Sequence, residues 1–192
     1  MKTYNVHFLI VFIGLLLLSC SDQTQSPVAP DEQTALPKVE ITNCNFVHYP
    51  IGPPEGGEFK FAGNNFIMKD VKVTEQMMSS DPLMTGTLVH YLSEVVDAVT
   101  GEGITHGKWT LTLSEDVGGG VWEGTYTGQR SYSPGVNEGF PPYEFITPLK
   151  LIAIGKGGAI DGMQFKGTTI IYSWGVIVEG WYGIGDGYYK SH

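Results

Sequence analysis

The chain has 192 residues, 42% hydrophobic and 16% charged, enough apolar material for one packed core and too little length for two comfortable ones. Eleven basic side chains stand against twenty acidic ones, a formal net charge of −9. That balance argues against nucleic acid, whose phosphates require a basic surface, and against electrostatic adhesion to anionic lipid headgroups.

The first element is an apolar run from Phe8 to Leu18 behind Lys2, of signal-peptide length and short for a bilayer span. It ends in Leu17-Leu18-Ser19-Cys20, which looks like a bacterial lipoprotein signal. Small Ser19 admits a peptidase to the bond before Cys20, and the Cys20 thiol is the expected lipidation site. Residues 1–20 are thus read as the signal, and several acyl chains on Cys20 would give stable anchoring, a palmitate-bearing attachment to the membrane. Residues 21–38, with Pro27, Pro30, Pro37 and many Ser, Gln and Thr, cannot bury enough surface to offset the entropy of ordering. They are expected to form a flexible tether spanning roughly 25 Å. The expected address is the bacterial cell envelope, lipid-anchored at the outer membrane.

Residues 39–192 are read as one β domain. With Cys20 given to lipid, Cys44 is the one remaining thiol. No intramolecular disulfide follows, so a packed core must carry stability, and Cys44 in the strand-like run Ile41–Val47 is read as a buried structural residue. No long amphipathic helix appears. β-Branched and aromatic runs alternate with Gly and Pro, giving strands over Lys38–His48, Glu58–Phe61, Phe66–Thr74, Thr85–Asp97, Thr105–Ser114, Gly120–Arg130, Phe145–Ile154, Ala159–Ile171 and Trp174–Trp181, with a short last piece through Tyr188. Asp97–Thr100 is the one short helix expected. Twenty of the 26 glycines follow residue 100 and are read chiefly as turn formers, those of Gly183-Ile-Gly-Asp-Gly187 included. The loops near Glu75–Pro82 and Pro134–Pro142 are expected at one mouth.

Alternation fixes two faces. Trp109, Leu111 and Leu113 share one, with Lys108, Thr110 and Thr112 opposite; Trp122 and Tyr126 share another with Gly124 and Gly128, with Glu123, Thr125 and Thr127 opposite. Large residues alternating with glycine suit a strongly curved sheet. Many strands, short turns and no crossover helices predict an all-β, antiparallel up-and-down barrel of about eight strands, with a β-sandwich as the alternative.

Gly107-Lys-Trp109, Trp122-Glu-Gly-Thr-Tyr-Thr-Gly128, Gly155-Lys-Gly-Gly-Ala-Ile-Asp-Gly-Met163 and Phe165-Lys-Gly167 resemble the hairpin rhythm of the allene oxide cyclase-like barrel superfamily, a calycin-like fold. The resemblance covers roughly residues 85–190. It implies an eight-stranded barrel with a lumen and a tendency to form homo-oligomers. None of the plant enzyme's catalytic residues matches a position here.

Chemistry-bearing residues are sparse. No His-x-His or His-Glu-x-x-His pattern, nucleophile elbow or phosphate loop occurs, so neither metal nor cofactor is expected. His90 and Glu94 share a strand face with Leu88, Leu92 and Val96, where Glu94 could act as a base in a lumen. Glu123 is the other carboxylate candidate: if its side faces a lumen its pKa rises, and if it faces water it is an ordinary surface acid. Catalytic candidates are therefore Glu123, Glu94 and His90. Ligand-binding candidates are Tyr126, Arg130, Tyr188 and Tyr189, the last two as a stacking pair. Arg130 and Glu179 each interrupt a hydrophobic strand and could pair with another charge. The leading expectation is a non-enzymatic envelope lipoprotein whose barrel binds a small apolar or amphipathic ligand or a partner protein. A cyclase or isomerase using a lumen carboxylate, and a surface adhesin or glycan-binding module, are the alternatives.

Overall fold

In strand after strand, apolar side chains two residues apart need a common interior, and the sheet meets that need by closing on itself. The computed structural model describes residues 39–133, 144–175 and 180–191. The expected signal, the lipid site Cys20, the tether, the Pro134–Pro142 loop and Glu179 lie outside those residues. In chain order the strands are β1 (Glu40–Pro50), β2 (Glu58–Ala62), β3 (Asn65–Ser79), β4 (Gly86–Asp97), β5 (Gly103–Leu113), β6 (Val121–Tyr132), β7 (Phe145–Lys156), β8 (Gln164–Trp174) and β9 (Gly180–Ser191). Hydrogen bonding runs β1-β9-β8-β7-β6-β5-β4-β3, and β3 returns to pair antiparallel with β1. This is a closed eight-stranded antiparallel barrel, which leaves no sandwich-type pair of separate sheets. β2 is extra: it hairpins back onto the first residues of β3, Glu58 opposite Lys69 and Ala62 opposite Asn65.

The two ends differ. One holds the β3–β4, β5–β6 and β7–β8 connections, and each contributes a short 3-10 turn: Pro82–Met84, Glu115–Val117 and Gly158–Ile160. Asp81 caps the first by accepting from Leu83 N at 2.9 Å, and also accepts from the Tyr189 hydroxyl at 2.8 Å. Trp122 Nε1 donates to Leu83 O at 2.8 Å. Met84, Ile160, Trp122 and Leu111 are all 0% exposed and plug this end as a floor. The other end carries β2 and a smaller apolar cluster of Phe66, Met68, Val71, Val73 and Val96.

Several expectations need correcting. The β3–β4 connection sits at the floor, and Glu75, expected at its start, lies within β3; the position expected for the Pro134–Pro142 loop lies outside the described residues. Asp97–Thr100 is a turn, not a helix: the Asp97 carboxylate accepts from Val99 N and Thr100 N at 2.8 Å each. The segment Ala159–Ile171 begins as a 3-10 turn and becomes strand only at Gln164. Trp174 and Gly180–Trp181 belong to different strands, the end of β8 and the start of β9, and β9 runs on to Ser191.

The glycines of β9 are likewise strand residues. Gly183, Gly185 and Gly187 are three successive inward positions. A Cβ there would strike His48, Phe46 and Phe165 respectively. Their absence of a side chain is what lets those rings cross the interior. The same exchange occurs where the Tyr126 ring covers Gly107 and the Trp109 ring covers Gly124, as the aromatic–glycine alternation predicts.

Candidate functional site

Between floor and mouth lies a partly open cavity of about 210 Å³. Its wall is mostly apolar, with Met77, Leu88, Leu92, Leu149, Leu151, Ile171, Trp109 and Phe165 contributing, and Pro54 and Phe59 reach it from the β2 side. Into this apolar lumen the strands project a small set of polar groups.

The deepest set centres on Glu75 of β3, 1% exposed. His48 Nδ1 of β1 lies 2.6 Å from Glu75 Oε2, and Trp181 Nε1 of β9 donates to Oε1. His90 Nε2 of β4 stands 3.5 Å from Oε1, an ion-pair distance without hydrogen-bond alignment. The far nitrogens extend the chain: His48 Nε2 meets Thr169 Oγ1 at 3.1 Å, and His90 Nδ1 meets the Tyr126 hydroxyl at 3.0 Å. Each imidazole therefore lies between the Glu75 carboxylate and a hydroxyl, Thr169 for His48 and Tyr126 for His90. Burial alone would raise the Glu75 carboxyl, but the His48 ion pair and hydrogen bond, joined by His90, outweigh it and hold the group far below the ordinary carboxylate range.

Glu94 occupies the same lumen under the opposite influence. It is 3% exposed, lies across the ladder from Met68 and Thr105, and its Oε2 has no hydrogen-bond partner among the described residues. Burial pushes its carboxyl up, and Arg130 pulls it part of the way back. Arg130 is buried with Nη2 donating to Gly175 O at 2.5 Å and its guanidinium 4.0 Å from the Phe145 ring centroid. Burial pulls the guanidinium down, while Glu94 and Glu144 push it back up. Burial, followed by the charges of Glu75 and Glu94, raises the Tyr126 hydroxyl well beyond the usual phenol range, so Tyr126 is a neutral hydrogen-bonding group and not a phenolate.

The sequence candidates therefore separate. His90, Glu94, Tyr126 and Arg130 converge on the cavity. Glu123 does not: it points outward from β6, exposed, because its neighbour Trp122 takes the inward position. Tyr188 and Tyr189 do not form a shared platform, since Tyr189 is buried against Asp81 and Trp122 while Tyr188 faces out, its ring 6.0 Å from Lys190 Nζ. Cys44 is buried, its thiol donating to Gly187 O at 3.7 Å and pushed up to about 11 by burial and nearby carboxylates, which leaves it unreactive as a thiolate. Among the described residues no group of three or more His, Cys, Asp or Glu is arranged to hold a metal ion.

Glu75, His48 and Trp181 were absent from the sequence-level candidates. Glu75 escapes because β3 runs five residues beyond the expected end at Thr74, and because the bulge at Asp70, with φ 53°, shifts the inward register after Met68. From Val71 onward, however, Val71, Val73, Glu75 and Met77 keep strict period two, and that is the signal that finds it. No family model, curated protein or solved structure matches the chain.

Proposed function

We propose that this protein is a non-enzymatic binding barrel of the cell envelope, anchored through lipid on Cys20, that holds a small apolar or amphipathic ligand in its lumen. The observation that carries this reading is the cavity itself: about 210 Å³ inside an apolar wall, above a packed floor and below a partly open end. Interiors of folded chains are otherwise filled to crystal-like density, so a void of this size costs dispersion contacts and needs a compensating role. A few polar groups set into an apolar concavity are the usual composition of a small-molecule site. The expected occupant exceeds benzene, which fills an engineered cavity of ~150 Å³.

Acid–base catalysis on such a ligand is the second reading, favoured by the Glu75–His90–Tyr126 series, in which an imidazole stands 3.5 Å from a carboxylate and its other nitrogen meets a lumen-facing hydroxyl at 3.0 Å.

Native mass spectrometry of protein purified from its own membranes tests the binding reading. The parent is expected to carry a non-covalent small molecule, and Leu149→Trp, which fills the lumen, is expected to lose it. A parent that is bare, and remains bare with every apolar probe offered, would refute lumen binding. Conversion of the bound molecule during incubation, abolished by Tyr126→Phe, would shift the assignment to the enzymatic reading.

A further inference from the structure

The polar pattern of the lumen restricts what its ligand can be, given that the lumen is the binding site. Anionic heads would meet two carboxylates, Glu75 and Glu94, in a low-dielectric wall. Cationic heads would meet the buried guanidinium of Arg130. Glu75 already receives His48 and Trp181, so it offers little further capacity. Glu94 is different. Its Oε2 is buried on the cavity with no donor among the described residues, and leaving a buried acceptor unsatisfied is costly.

We propose that Glu94 Oε2 is the acceptor for an uncharged hydroxyl on the ligand, whose hydrocarbon body of roughly eight to ten non-hydrogen atoms lies against Leu92, Leu149, Leu151 and Ile171. A neutral donor satisfies the orphaned oxygen without adding a further charge to a lumen that already holds Glu75, Glu94 and Arg130. A hydroxyl is the smallest such donor. Its oxygen can accept in turn from Thr105, a buried lumen residue directly across the β4–β5 ladder from Glu94.

The test is a matched probe series sharing one ring system: 2-naphthol, 2-methoxynaphthalene, 2-naphthoate and 2-naphthylmethylamine, titrated calorimetrically into the parent, Glu94→Leu and Glu94→Gln. In the parent, 2-naphthol is expected to bind about tenfold more tightly than 2-methoxynaphthalene, the worth of one buried hydrogen bond, and more tightly than either charged probe. Glu94→Leu should erase that preference while keeping 2-methoxynaphthalene affinity, and Glu94→Gln, which retains an acceptor oxygen, should keep most of it. Circular dichroism on both variants establishes that they fold. Equal binding of naphthol and its methyl ether by the parent, or a preference that survives Glu94→Leu, would overturn the Glu94 assignment while leaving lumen binding intact. Tightest binding of the carboxylate or the amine would overturn the uncharged-ligand claim. No binding by any probe would refute both the assignment and the reading beneath it.

Discussion

Two buried carboxyls in one lumen are pushed in opposite directions, Glu75 down by its histidines and Glu94 up by burial, and each leaves its own signature on stability. Glu75 is depressed by His48 and His90, so its contribution is fully present above the unfolded carboxylate value of ~4.3 and is lost as pH falls below that toward its lower folded value. Glu75→Gln breaks a buried ion pair and strands His48; it is expected to cost about 3–5 kcal/mol at neutral pH, with the gap from the parent narrowing below pH ~4.3. Glu94 has the reverse sign: raised by burial, it binds its proton more tightly in the folded state, so it costs stability as pH rises above ~4.3 through its folded value. Glu94→Leu is expected to gain about 1–3 kcal/mol at neutral pH and progressively less on acidification. Urea unfolding of parent and both variants across pH 3–8 checks each sign. A gap for Glu75→Gln that widens in acid would contradict the assignment of Glu75 as the ionised partner.

At the scale of the strand, β6 shows what period two can and cannot decide. Placing Trp122 and Tyr126 inside forces Glu123 outside, and the structure has Trp122 fully buried with Glu123 exposed. Trp122→Ala should therefore cost about 3–5 kcal/mol by denaturant unfolding. Glu123→Ala should stay within about 0.5 kcal/mol, the ordinary range for a surface change. Equal losses for the two would mean the face assignment is reversed. The barrel, its faces and the His90–Glu94 pair are legible in the sequence because alternation in β4, β5 and β6 is uninterrupted. Glu75 is not, because a single extra residue near Asp70 inverts the pattern upstream of it. The β9 glycines mislead for another reason: Gly183, Gly185 and Gly187 serve long-range contacts with Phe46, His48 and Phe165, which no local window contains. Composition alone makes them resemble turn residues.

At the scale of the barrel, the described residues form a floor and a partly open lumen above it, with β1 starting at the floor beside the last residues of β9. Cys20→Ser should abolish palmitate labelling and release the protein from membranes or leave it unprocessed; unchanged membrane retention with an unlipidated parent would end the lipoprotein reading. The central claim, that the interior and not the outer surface holds the ligand, is open to one direct measurement. The exposed Ile152, Ile154, Ile170 and Ile184 provide outer-face methyls, while Leu88, Leu92, Leu149, Leu151 and Ile171 line the cavity. Methyl-labelled NMR titrated with 2-naphthol should shift the lumen leucines and Ile171 saturably and leave the four outer isoleucines unmoved. Saturable shifts confined to the outer isoleucines would contradict the account.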